Sequence, residues 1–597
     1  MSLGKPHAAA RYLAALVFFC AAGAIFFHGV VLHPGSRVSC CVGDGTGTIR
    51  NYWVASLEHR NPLTFTHDAW NGAPEGTAQA PATVLANGGV QTAFVWGLRD
   101  VLGLVGAWNA FLAVGLIGSS MAMFALLEIL GCTFVASLFG GYVFGFSPYA
   151  FERAYAGHLG LMQNWSLVLV VLAMIHFQRR RAYSSAAIVA AAVGLAFYVS
   201  AYQGLFAGII SLVFFGVELF RVPGRRERVR TLALLAATYA LAVVTLVPIF
   251  ALYSNERATV SASTAHAESD LYTFSAHISD YLLPSPRNPL FHWLSGVHVA
   301  GLTEHTLYFG YAALALAIVA VVLLFRRNGW LEASRTRWWT AITMAVLTAV
   351  AFLLSLPPSY HVDGVPIPMA SVLLGGFTRT WRDYARFGIV VGLALGVLAA
   401  LAISALAKRR GWAWQAIGPA ALAVAVVELL PGNVGSFSTT TGPGWVTWLA
   451  SHPHGIVATY PMDLHSGPES VLRQPQLWYQ TVDHDPGFEI VGESYLQARS
   501  WNQAIRTLAL DIGAPLTPRI LSTEGVRYVV VDDDVYRSAG HPAPRLDPRW
   551  YTLLTRVGGV RIFSVHAPKV DMASTIEAHR DEIIGLQAGL LDPGQQS

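Results

Sequence analysis

The sequence predicts an α-helical polytopic membrane protein with about eleven transmembrane helices and a C-terminal extracytoplasmic α/β domain. Three observations predict it. Of 597 residues, 54% are hydrophobic and only 12% are charged, whereas a water-soluble globular chain carries about 25% charged residues. Apolar runs long enough to cross a bilayer recur along most of the chain. The loops between them alternate between arginine-rich and acidic, as the sides of a membrane do.

A spanning helix needs about 20 mostly apolar residues. Such runs fall at 12–32, 104–130, 132–148, 161–177, 184–200, 203–220, 231–253, 306–326, 338–356, 384–407 and 413–430. The first run follows Lys5 and Arg11 but is longer than the core of a signal peptide, and no clear small-residue cleavage site follows it. It reads as a retained helix. With the N-terminus in the cytoplasm, the inside loops carry Arg179-Arg180-Arg181, the five arginines of 221–230, Arg326-Arg327 with Arg335 and Arg337, and Lys408-Arg409-Arg410. The alternate loops carry Asp44, Asp68, Glu75, Glu152, Glu256, Asp270, Asp280, Glu304 and Asp383. A missed helix would invert the pattern downstream, so the alternation implies an odd number of spans in a multi-pass membrane protein.

The chain then divides into a transmembrane part, 1–430, with a large first outer loop at 33–103; a Pro/Gly/Ser/Thr-rich linker, 431–441; and a small α/β domain, 442–597, ending in a solvated helix and loose tail. Short β-type runs at 455–460, 526–531 and 560–565 mark its strands. A net charge of +4 is too small to imply nucleic acid, and the lipid bilayer is the partner that composition demands. Four cysteines make no disulfide framework. One carboxylate and scattered histidines make no metal-ligand set. No cofactor is therefore assigned, and a divalent cation stays an open option.

The first loop holds unusual residues. Gly43-Asp44-Gly45 precedes an amphipathic stretch, Ile49 to His59, containing Trp53. Asn61-Pro62-Leu63-Thr64 and Pro74-Glu75-Gly76 follow, then a semi-apolar stretch from Gln91 to Leu104 suited to the membrane interface. Later come Gly145-Phe146-Ser147-Pro148-Tyr149 with Gly157-His158-Leu159, Glu304-His305, and Arg382 to Phe387 opening a helix. On residues alone, Gly43-Asp44-Gly45 reads first as a turn in which the aspartate bonds its own backbone. Asp68 reads as a solvated loop carboxylate, His158 as a structural histidine and Glu304 as a helix-dipole partner. Arg379, Arg382 and Arg386 run against the positive-inside bias, so they have a reason to be there: pairing with Asp383, or binding an anion.

This set of motifs resembles the GT-C superfamily of polytopic membrane glycosyltransferases, in particular bacterial proteins of the YfhO-like type, related to protein O-mannosyltransferases. The likeness in topology spans 1–430; that in motifs is concentrated between 40 and 165. It implies a GT-C-like fold and transfer of a hexosyl or pentosyl unit from a polyprenyl-phosphate donor to an extracytoplasmic glycan, lipid or protein acceptor. A single inverting displacement of this kind needs one carboxylate near the acceptor hydroxyl and cations at the leaving phosphate. The resemblance casts Asp44, with Asp68 as the next acid, as catalytic, and His158, Arg153, Arg379, Arg382, Arg386 and Glu304 as binding the donor's phosphate or sugar. Two departures stand against it: no tryptophan-rich "WWDYG" block is present, and Asp44 is not followed by a second acid. A transporter or flippase, or a non-catalytic cell-envelope scaffold, are the rival classes. Neither an internal repeat nor mid-helix polar residues favour transport.

Overall fold

A computed structural model describes residues 5–39, 44–79, 81–256, 268–294, 304–327, 329–362, 365–377, 381–409, 411–432, 434–462, 474–490 and 500–591. Cys40, Cys41, Gly43 and Arg379 lie outside them, and so does the side chain of Asp44. The chain is mostly helical. Among the described residues, seven helices are long and apolar enough to cross a membrane: Ala8–Phe26, Gly88–Ile129, Phe134–Ala156, Ala201–Arg221, Arg225–Thr245, Arg335–Ser355 and Tyr384–Leu406. Tyr183–Val199, Tyr311–Phe325 and Trp412–Glu428 are shorter apolar helices, and Trp165–Arg180 occupies the segment expected at 161–177. Helix is the form these runs must take in lipid, because it satisfies every backbone polar group within the segment.

The helix Gly388–Leu406 is the axis of the bundle, with every residue buried. Its Gly388, Gly392 and Gly396 repeat every fourth position, which puts them on one face. Side chains cross there at close range. A Cβ at Gly392 would run into the Phe309 ring, one at Gly388 would lie 2.6 Å from Leu307, and one at Gly396 would lie 3.3 Å from Met123. Small residues in this spacing let helices approach where the hydrophobic effect contributes little to helix pairing.

Two regions differ from the sequence expectation. The interfacial stretch 91–104 and the span 104–130 are parts of one bent helical run. Gly103 breaks it with φ +70, a value that costs glycine little. A π-helical turn, Val114–Gly118, bends it again. The expected outer loop around Gly145 to Tyr149 is instead a buried junction. Ser147 caps the short helix Pro148–Ala156 through the Ala150 amide, 3.4 Å away, and Pro148 takes the first helical turn.

Towards the C-terminus, four strands form one sheet in the order Ile456–Tyr460, Val526–Asp532, Val560–Val565, Tyr551–Val557. The first pair is parallel, and the others antiparallel. Alternate residues feed two cores, Ala458, Tyr460, Val529 and Val531 on one face and Val457, Tyr528, Val530 and Ile562 on the other. The strand Tyr551–Val557 is the one the sequence pattern missed. It is a mostly exposed edge, and its Thr-Leu-Leu-Thr run lacks alternation.

The stretch read as a linker is structured. Ser436–Ser438 pairs antiparallel with Arg37–Ser39, and the Arg37 guanidinium donates to the Ser436 hydroxyl at 2.8 Å. The first loop is also built into the C-terminal sheet. Gly487 bridges to Val457 on one side and to Asn71 on the other, and the Gly72 and Ala73 amides donate to Glu489 and Gly487. Buried Arg506 clamps the joint. It donates to the Phe488 carbonyl at 2.8 Å, the Ala73 carbonyl at 2.6 Å and the Glu75 carboxylate at 2.8 Å. Loss of this clamp leaves two buried carbonyls and a carboxylate without their donor. Arg506→Ala is therefore expected to cost about 3–5 kcal/mol and to speed hydrogen exchange at residues 70–76. Unchanged melting and exchange would contradict that role.

Candidate functional site

At one end of the bundle, charges from three distant parts of the sequence converge. Arg153 projects from the helix Pro148–Ala156 and is completely buried. Its two terminal nitrogens donate to the two oxygens of Glu304 at 2.5 and 2.6 Å. Arg386, from the turn Tyr384–Phe387 that opens the central helix, reaches the same carboxylate at 2.8 Å and also pairs with Asp383 at 3.0 Å. The Tyr202 hydroxyl donates to Asp383 at 2.9 Å, and its ring lies 4.4 Å from the Arg386 guanidinium. Arg382 completes the group, 3.6 Å from Asp383 and 4.7 Å from the Phe274 ring.

Burial alone would raise the pKa of Glu304, but Arg153 and Arg386 together hold its carboxyl well below the usual range. It is a fixed anion and cannot serve as a general acid or base near neutrality. Among the described residues, three guanidinium groups and two carboxylates thus meet here. Arg382, at 33% side-chain exposure, is the most exposed of the three arginines.

Ion pairs brace the surrounding loops. Glu152 takes Arg287 at 3.0 Å, and Arg287 lies 4.4 Å from the Tyr155 ring. His305, next to Glu304, bonds Asp280 at 2.9 Å and stacks on His277 with ring centroids 5.3 Å apart. Burial opposes the charged imidazole, yet the bond to Asp280 raises its pKa overall. That pair contributes stability fully below about pH 6.5 and loses it as pH climbs through the raised value.

Asp44 is the first residue of the helix Asp44–Leu57. The next residue, Gly45, sits against Gly157: a Cβ on Gly45 would lie 2.8 Å from the Gly157 Cα. Gly157 itself ends the helix Pro148–Ala156 with φ +73. Only glycine suits both positions, one for closeness and one for conformation. The contact lies four residues, about one helical turn or 6 Å of rise, beyond Arg153 in the chain. His158 follows immediately, half-buried, its amide donating to the Arg153 carbonyl at 2.9 Å.

Asp68 is buried instead of solvated. One of its oxygens forms a close ion pair with Arg50, and the other accepts the Trp70 amide at 2.9 Å. Arg50 also donates to Gln480 at 2.8 Å. Both carboxylate oxygens are thus engaged within the first loop, and Arg50 carries the link on to Gln480 of the helix Gln474–Asp483. Glu304 is the hub of two arginines, where a helix-dipole partner was the plain expectation. Arg379 falls outside the described residues. Sequence reasoning missed Tyr202, Arg287 and Asp280; the polar cluster Ser200 to Gln203 between two apolar runs was the available signal for the first. Among the described residues, no group of three or more His, Cys, Asp or Glu side chains is arranged to hold a metal ion.

Glu304→Gln keeps the shape but leaves Arg153 buried without a counter-charge, and is expected to cost about 3–5 kcal/mol at pH 7. The folded-state pKa of Glu304 is depressed from its ordinary value near 4.5. Its contribution is therefore complete above pH 4.5 and is lost only as pH falls through the depressed value. Melting curves of the two proteins should lie well apart from pH 5 to 8 and converge only in strong acid. Coincident curves at pH 7 would contradict the assignment.

Three solved structures are similar to this chain. The oligosaccharyltransferase of Archaeoglobus fulgidus in its apo form aligns with a TM-score of 0.49 at 12% identity, over 88% of this chain and 70% of that one. AglB from Archaeoglobus fulgidus, in complex with an inhibitory peptide and a dolichol-phosphate, aligns with a TM-score of 0.47 at 13% identity, over 88% and 69%. The arabinofuranosyltransferase AftD from Mycobacteria aligns with a TM-score of 0.45 at 18% identity, over 95% of this chain and 42% of that one. No curated protein matches the chain in sequence. The family described as domain of unknown function DUF6311 matches residues 98–429, more than half of the sequence, and the chain belongs to that family.

Proposed function

We propose that this protein is a GT-C-type glycosyltransferase that moves a hexosyl or pentosyl unit from a polyprenyl-phosphate donor to an acceptor outside the cytoplasm. The acceptor is a hydroxyl of a cell-envelope glycan, lipid or protein. The observation that carries the reading is the largely buried group of Arg153, Arg386, Arg382, Glu304 and Asp383, with the helix that Asp44 opens packed through Gly45 on Gly157, four residues beyond Arg153.

In this reading Asp44 accepts the proton of the acceptor hydroxyl as that oxygen attacks the anomeric carbon. The bond from that carbon to the phosphate oxygen breaks on the opposite face, giving inversion. Polyprenyl phosphate leaves without a proton because guanidinium groups stabilise its charge. Arg382 and Arg386 would meet the phosphate, with Arg379 beside them in sequence. Arg153 and Glu304 would hold Arg386 in place, and His158 would face the donor sugar. The sequence resemblance to the GT-C superfamily supports the same assignment, as does the apolar helical bundle, which suits a lipid-linked donor.

The test is replacement of Asp44 by Asn in cells lacking the native gene, followed by mass spectrometry of envelope glycans and lipid-linked sugars. The variant should reach the membrane in normal amount yet lose transfer by about 10²–10⁴-fold, with the donor accumulating. Transfer at the wild-type level would remove Asp44 from the mechanism.

A further inference from the structure

At the opposite end of the bundle, the helices Ala201–Arg221 and Arg335–Ser355 leave a groove between them. Its cavity measures about 360 Å³, walled by Val213, Gly216, Val217 and Phe220 on one side and Trp339, Ile342 and Val346 on the other. Every wall residue is apolar. Both walls cover the same seven-residue rise, about 10 Å. Gly216 leaves the space: a Cβ built there would meet nothing within 4 Å.

The mouth of the groove is cationic. Arg221 ends the first helix, its guanidinium 6.0 Å from the Trp339 ring. It pairs with buried Glu218 at 3.2 Å, while Arg181 takes the other oxygen of that carboxylate at 2.5 Å. One carboxylate therefore balances only one of the two. The Nε of Arg221 is buried with no hydrogen-bond partner among the described residues. Arg335, one turn before Trp339, is exposed. Tyr202 of the charged group lies 19 positions before Arg221 on the same helix, about 28 Å away along its axis, close to the thickness of a bilayer's hydrocarbon core. The groove is thus in the other leaflet from the candidate site and stands independently of the proposed reaction.

We propose that this groove binds an anionic phospholipid, with one acyl chain lying over Gly216 and its headgroup phosphate among Arg221, Arg335 and Arg181. The shape selects a chain, because the walls offer no polar group to anything else. The surplus charge selects an anion over a zwitterion, since basic residues near the membrane surface favour anionic lipid.

The test is native mass spectrometry of the delipidated full-length protein, titrated with phosphatidylglycerol and, in parallel, phosphatidylcholine of the same acyl composition. The wild type should hold phosphatidylglycerol about fivefold or more above phosphatidylcholine. A Cβ at Gly216 meets nothing within 4 Å, so Gly216→Phe should place its ring in the groove, keep its melting temperature and lose most binding of both lipids. Arg335→Gln, at an exposed position, should keep phosphatidylcholine binding and lose most of the preference. Equal binding of the two lipids by the wild type would overturn the proposal. So would undiminished binding by Gly216→Phe, or an unchanged preference in Arg335→Gln.

Discussion

One carboxylate held by two arginines organises this end of the molecule. Glu304 receives Arg153 from one helix and Arg386 from the start of another, and it is the carboxylate that balances fully buried Arg153. The central helix, Gly388–Leu406, begins directly after Arg386, so the ion pairs fix where the axis of the bundle starts. The glycines along that axis then set how closely Leu307, Phe309 and Met123 pack. Electrostatics places the end of the helix, and side-chain size places its length against its neighbours.

A second constraint ties the first loop to the rest of the chain from two sides. Its helix abuts the bundle through Gly45 and Gly157. Its later residues, 70–73, extend the C-terminal sheet and are clamped by Arg506. The buried pair of Asp68 and Arg50, with Gln480, joins the two attachments. The C-terminal sheet therefore holds the loop that Asp44 belongs to, a mechanical role that differs from simple docking over the bundle. In the proposed reaction, the same arrangement would keep the base at a constant distance from the arginines.

Much of the helical part was legible because lipid leaves little choice: a long apolar run must be helical, and each expected segment holds helix. Arg153, Glu304, Arg382 and Arg386 could each be singled out by sequence, since charges beside apolar runs need a reason to be there. Their pairing could not. Arg153 and Glu304 are 151 positions apart, and nothing local dictates the match. Asp68 misled for the same reason, because its partner Arg50 lies across a loop whose fold depends on the C-terminal sheet. The linker reading of 431–441 failed because Ser and Thr serve as well in a short strand as in a loose connection, and the strand Arg37–Ser39 that pairs with it is distant in sequence. The edge strand Tyr551–Val557 failed because an exposed edge need not alternate.

The measurement that tests the central claim most directly is a cryo-electron microscopy map of the protein in nanodiscs with a polyprenyl monophosphate. The account predicts phosphate density within hydrogen-bond distance of Arg382 and Arg386, at the end of the bundle that carries Glu304, with the Asp44 helix beside it. Phosphate density elsewhere in an occupied complex, with the arginine group unchanged and closed to it, would contradict the account.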